Sequence, residues 1–111
     1  MVDYSKLPAC PVQTCLEFIS DKWKVLIIRD LMTGTKRFSE LKKSLSPVTQ
    51  KMLTQQLREM ETDGLINRKV YPVVPPKVEY SLTELGLSLK PVIDAMRTWG
   101  NELKEKNKYP N

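Results

Sequence analysis

Five side chains stand out for the hydrogen-bonding chemistry that their spacing allows: Gln50, Lys51, Thr54, Gln55 and Arg58. At about 100° per residue they share one face of a helix, while Leu53, Leu57 and Met60 recur at i, i+4 and i+7 on the opposite face. A glutamine can meet adenine with two hydrogen bonds, lysine and arginine reach guanine or phosphate, and a threonine methyl fits thymine. That is the chemistry of a major groove. The same polar face also suits plain solvation, so the surrounding elements must decide.

The thiols are the second chemically active set. Cys10 and Cys15 are too few for a disulfide framework, and their spacing fits neither a CxxC redox pair nor a zinc knuckle. Histidine is absent, which removes the commonest general base and metal ligand together with any Ser-His or Cys-His pair. The glycines, Gly34, Gly64, Gly86 and Gly100, are too scattered for a phosphate loop. An enzyme is not expected, and neither a cofactor nor a metal.

Charge favours a polyanion. The chain carries 18 basic and 13 acidic residues, net +5, and the excess is concentrated between residues 42 and 78. Nothing acidic occurs from Lys42 to Arg58 or from Asn67 to Val78. Such a concentration points to double-stranded DNA as a partner. At 111 residues the chain is one domain with a modest core. No apolar run approaches the roughly 18 residues of a membrane span, and the N-terminus does not read as a signal peptide. The expected location is the cytoplasm.

The elements that would position the polar face follow in order. Residues 1–11, with two prolines, read as an arm lying over something else. Val12, Cys15, Leu16 and Ile19 give a short helix with Phe18 beside its stripe, and the run from Lys22 to Thr33 gives a nearly buried one. Lys36, Arg37 and Phe38 lead into a third helix, with Leu41 and Leu45 inward and Lys42 and Lys43 outward. Pro47 starts a turn, Thr49 is the expected N-cap of the recognition helix, and Gly64 its stop. A short helix, a brief turn and a helix with a polar outer face make a helix-turn-helix.

After Gly64 the period becomes alternating, and 65–71 and 77–82 read as a hairpin whose tip is stiffened by Pro72, Pro75 and Pro76. A basic hairpin after a helix-turn-helix is a wing, with Arg68, Lys69 and Lys77 set to meet phosphate or the minor groove. The lysines also suit a structural hairpin, and Pro72 to Pro75 matches a PxxP ligand, though strands on both sides leave it little freedom. Thr83 caps a final stripe, Leu85, Leu89, Val92, Ile93, Met96, Trp99 and Leu103, which Pro91 should kink or split. Leu85 and Leu89 are expected to fold back on the core. The surplus apolar surface predicts a homodimer interface through Leu16, Ile19, Val92, Met96, Trp99 and Leu103.

The expected fold is therefore mainly α with a small β-hairpin wing, a winged helix-turn-helix dimeric through its terminal helices. Residues 12–103 form that domain and 104–111 a polar tail. Gln50, Lys51, Thr54 and Gln55 are the expected base readers, and Lys42, Lys43, Arg58, Arg68, Lys69 and Lys77 the phosphate contacts. Two other readings compete. One is a winged-helix protein-interaction module with only non-specific DNA binding; the other is a small redox enzyme using Cys10 and Cys15.

Several stretches carry a more particular likeness: Cys10-Pro11-Val12, Lys22-Trp23, Arg37 to Leu41, Gln50 to Arg58, Asp63-Gly64-Leu65, Tyr71-Pro72, Val74 to Tyr80 and Ser81 to Gly86. Together, from Cys10 to Gly100, they resemble the HxlR family of bacterial transcriptional regulators. The resemblance implies a dimeric winged helix-turn-helix of MarR-like architecture that binds operator DNA. It also implies that Cys10 is a redox sensor responding to oxidants or electrophiles. By its own neighbours, Cys10 suits equally a thiol activated by helix ends and lysines or a small buried hydrophobe, and Cys15 belongs to the core. Nothing in the sequence names a small-molecule effector.

Overall fold

The structure, a computed structural model, describes residues 2–105. A 3-10 turn at Tyr4–Lys6 precedes α1 (Pro11–Ile19), α2 (Lys22–Leu31), β1 (Lys36–Arg37), α3 (Phe38–Ser44), α4 (Gln50–Thr62), β2 (Ile66–Tyr71), β3 (Lys77–Leu82), α5 (Glu84–Leu87) and α6 (Lys90–Lys104). The protein is mainly helical with a small antiparallel sheet, a winged helix-turn-helix.

Ile27, Ile28 and Leu31 of α2 are buried at the centre of the core, against Leu41 of α3 and Leu53, Leu57 and Met60 of α4. Each such side chain contributes roughly 1.5–3 kcal/mol by leaving water, so the inner face of α4 is fixed by its leucines. Its ends are fixed as firmly. The Thr49 hydroxyl accepts from Met52 N at 3.1 Å, and Gly64 takes the left-handed conformation at φ 80° that ends the helix. Val48, buried within the turn from α3, holds the entry.

The sheet has three strands rather than two. Lys36 and Arg37, expected to run straight into α3, pair with Tyr80 and Glu79 of β3, giving the order β1-β3-β2. Arg37 still starts the helix, since its N–H donates to Glu40 Oε1 at 2.9 Å in the first turn. In the long hairpin Ile66 faces Leu82 and Tyr71 faces Lys77.

Pro91 splits the C-terminal stripe in two, standing in the first turn of α6, where its missing N–H costs nothing. Thr83 caps α5 by accepting from Gly86 N at 3.1 Å, and its hydroxyl donates to Gly64 O at 2.6 Å. Any Cβ at Gly86 would collide with the Leu65 carbonyl, so the glycine permits the close approach of α5 to the start of the wing. Leu89 packs on the core, but Leu85, expected there too, is exposed. Ile19 corrects the sequence reading in the other direction. At 5% exposure it is buried in the chain's own core and offers nothing to an interface. Leu16, Met96, Trp99 and Leu103 do stand exposed, as does Val12, while Val92 is half-buried.

The N-terminal arm crosses towards the end of α4, where Val2 N donates to Asp63 Oδ1 at 3.1 Å. The helix begins at Pro11, so the arm ends at Cys10. Of the tail from 104, Lys104 is the last residue of α6, and 106–111 lie outside the described residues.

Candidate nucleic-acid interface

Because Leu53, Leu57 and Met60 are buried, the opposite side of α4 must face outward. Gln50, Lys51, Gln55 and Arg58 are exposed, Thr54 is half-buried, and all five line one continuous surface with Glu59. Lys42 and Lys43 are exposed on the last turn of α3.

The wing divides its cations between two faces. Arg68 is cross-strand from Tyr80 and turns towards α4, where a cleft of about 310 Å³ is lined by Thr54, Leu57, Arg58, Glu61, Arg68 and Tyr80. Arg58 and Arg68 thus belong to one patch that runs from the helix to the wing. Lys69 and Lys77 point to the other face, each with its ammonium 4.8 Å from the centre of the Tyr71 ring. There the Tyr71 hydroxyl donates to Glu79 Oε1 at 2.6 Å, and Lys77 Nζ lies 3.7 Å from Glu79 Oε2. Glu79 is held below the ordinary glutamate value, first by the Tyr71 hydrogen bond and also by Lys77. Of the three wing cations, Arg68 thus lies on one face and Lys69 and Lys77 on the other. The tip beyond them is apolar, with Val73 half-exposed and Val74 fully so.

Periodicity alone missed the ion pair beneath this surface. Lys24 is buried on α2, and its Nζ lies 3.1 Å from Glu59 Oε1 on α4. Glu59 is held below its ordinary value, chiefly by that Lys24 hydrogen bond. A signal was present: Lys24, Ile27, Ile28 and Leu31 share one helical stripe, and a cation on a buried stripe demands an anion. Tyr71 was likewise overlooked as the ring that Lys69 and Lys77 flank.

Cys10 is an exposed free thiol at the N-cap of α1, where its side chain makes no capping hydrogen bond. Cys15 is half-buried and packs against the core. No group of metal-binding side chains occurs among the described residues, and none of the described helices is long and apolar enough to cross a membrane.

The arrangement of α3, α4 and wing is matched by a family profile, that of the HxlR-like helix-turn-helix, over residues 18–108. The chain belongs to this family. The HTH-type transcriptional regulator YdeP of Bacillus subtilis is 51% identical to this HxlR-like protein over 107 residues, spanning 95% of this chain and 84% of YdeP. The crystal structure of the HTH-type regulator YtcD superposes with a TM-score of 0.82 at 52% identity, covering 87% of this chain and 99% of that one. The redox regulator HypR in its reduced form gives 0.82 at 46% identity, covering 86% and 95%. The HxlR-like chain is thus a member of a family of helix-turn-helix transcriptional regulators with MarR-like relatives.

Proposed function

We propose that this HxlR-like regulator binds a two-fold symmetric DNA operator as a homodimer, with α4 of each protomer in successive major grooves about 34 Å apart. Gln50, Lys51, Thr54 and Gln55 read base edges, and Lys42, Lys43, Arg58, Arg68, Lys69 and Lys77 hold the backbone. The carrying observation is the outer face of α4, where donors and acceptors stand exposed above a buried leucine face and continue into the cleft shared by Arg58 and Arg68. The half-exposed apolar side chains Leu16, Met96 and Leu103, with Trp99, supply the dimer surface. The protein works in the cytoplasm, and its partners are DNA and a second copy.

Cys10 gives the response. It is an exposed thiol at the start of α1, beside the apolar surface assigned to the dimer, and the relative HypR is a redox regulator. Oxidation of Cys10 is read as altered operator binding.

Selection of bound duplexes from a random pool, with reduced protein at several salt concentrations, tests the reading. Enrichment of a two-fold symmetric motif with half-sites one helical turn apart, and a steep negative salt slope, is the expected result. Binding that enriches no motif and fades with salt would leave a winged-helix interaction module instead.

A further inference from the structure

We infer that the groove between α2 and α6 is a binding site for a small organic anion with an apolar body, of which a short-chain carboxylate is the simplest example. None of its lining side chains belongs to α4 or the wing, so the inference stands whether or not α4 reads bases.

The groove encloses about 320 Å³, near the lower end of the range for small-ligand sites. Its floor is apolar, with Val25 and Leu26 of α2 against Ile93 and Met96 of α6. Its rim is cationic. Arg29 stands on the α2 side and Arg97 and Lys104 on the α6 side, and no carboxylate lines the groove among the described residues. Two aspartates outside it hold the guanidiniums without exhausting them. Arg29 donates from Nε and Nη2 to Asp30 Oδ1, at 3.0 and 2.9 Å, and Arg97 donates from Nη1 to Asp94 Oδ1 at 3.1 Å. A guanidinium carries five N–H donors, so each arginine keeps others for an incoming carboxylate. An apolar floor under a cationic rim selects a ligand with an apolar body and an anionic head.

Gly100 is the second observation. It lies inside α6, where glycine is a poor helix former. No close approach accounts for it, because a Cβ at this position would meet nothing within 4 Å. Gly100 does line the groove, and a larger side chain there would stand in the space between the helices. Its bareness keeps the groove open. Along α6 the groove takes Ile93, Arg97, Gly100 and Lys104, at i, i+4, i+7 and i+11, whereas Val92, Trp99 and Leu103 form the neighbouring stripe assigned to the dimer. An anion and a second copy can therefore use α6 together, with Met96 on the border between them.

The test is isothermal titration calorimetry of the reduced full-length protein with octanoate, and with octan-1-ol and octylammonium as neutral and cationic controls. Octanoate is expected to bind saturably and both controls roughly tenfold more weakly or not at all, the size of one lost charge-assisted hydrogen bond. Gly100→Leu should abolish octanoate binding while melting as the wild type does, since its side chain enters open space. Arg97→Gln/Lys104→Gln should weaken octanoate by roughly tenfold and leave octan-1-ol unchanged. Absence of octanoate binding, or equal binding of all three probes, would overturn the inference. So would undiminished binding to Gly100→Leu and to Arg97→Gln/Lys104→Gln, which would place the anion on another cationic surface. Binding to the Trp99→Glu variant alone would show that a second copy fills the groove, and would overturn it as well.

Discussion

Gln55 and Arg68 are assigned different tasks, and substitution separates them. Replacing Gln55 by Ala should cost about 1–3 kcal/mol at the selected operator and relax preference at one position, with little change on scrambled duplex. Equal losses on both, in a fluorescence anisotropy titration, would contradict a reading role. Arg68→Ala should weaken all sequences alike and make the plot of log affinity against log salt shallower by about one. An unchanged slope would remove Arg68 from the phosphate contacts. Lys77 is expected to give a smaller change than Arg68, because it already lies against the Tyr71 ring and near Glu79.

Between elements, two junctions carry the geometry of the site. The first is the Lys24–Glu59 bridge from α2 to α4. Glu59 has a folded pKa below its unfolded one, so its contribution to stability is complete above the unfolded value and is lost as pH falls through the folded one. The protein should therefore weaken below about pH 4.3, and Glu59→Gln should flatten part of that acid limb in urea titrations. Superimposable acid limbs would show that the bridge adds nothing. The second junction is Gly86 against the Leu65 carbonyl. Gly86→Ala should destabilise by about 1–3 kcal/mol through overpacking against rigid backbone, whereas Gly100→Ala, with open space at its Cβ, should be tolerated in the same melting assay.

The elements also show how far the sequence could be read. Recognition helix α4 was legible because its stripe, its Thr49 cap and its Gly64 stop agree, and the same holds for the division at Pro91. Strand β1 was not, since two residues cannot show alternation and their pairing lies more than forty positions away. Periodicity assigns a face to each element but not the neighbour it meets. That is why Ile19 was placed at an interface when it packs inward, and why Lys24 and Glu59, 35 positions apart, were not joined.

For the whole molecule, the exposed apolar side chains of α1 and α6 predict that one charge placed among them separates the proposed protomers. Trp99→Glu should sediment as a monomer with its own core intact, and operator affinity should fall with the loss of the second half-site. A dimeric Trp99→Glu protein would move the interface elsewhere. Cys10→Ser should bind the operator as the reduced wild type does, yet keep that binding when peroxide is added; a variant as peroxide-sensitive as wild type would place the response at another thiol.

The two residues of β1 have a bearing on how such a dimer can adjust. By pairing Lys36 and Arg37 with the inner wing strand, β1 ties the wing to the foot of α3, and Glu40 locks the same corner. Helix and wing are then clamped like the two prongs of a single tool, unable to flex apart without breaking a sheet. In the proposed dimer, a rearrangement at the terminal helices would reach DNA as a change in the span or tilt between two rigid heads, so the pair would act as a calliper. Its operators would then be graded by the distance between their halves as much as by their letters, and inserting one or two base pairs at the centre is expected to be as severe a mutation as altering the bases that are read.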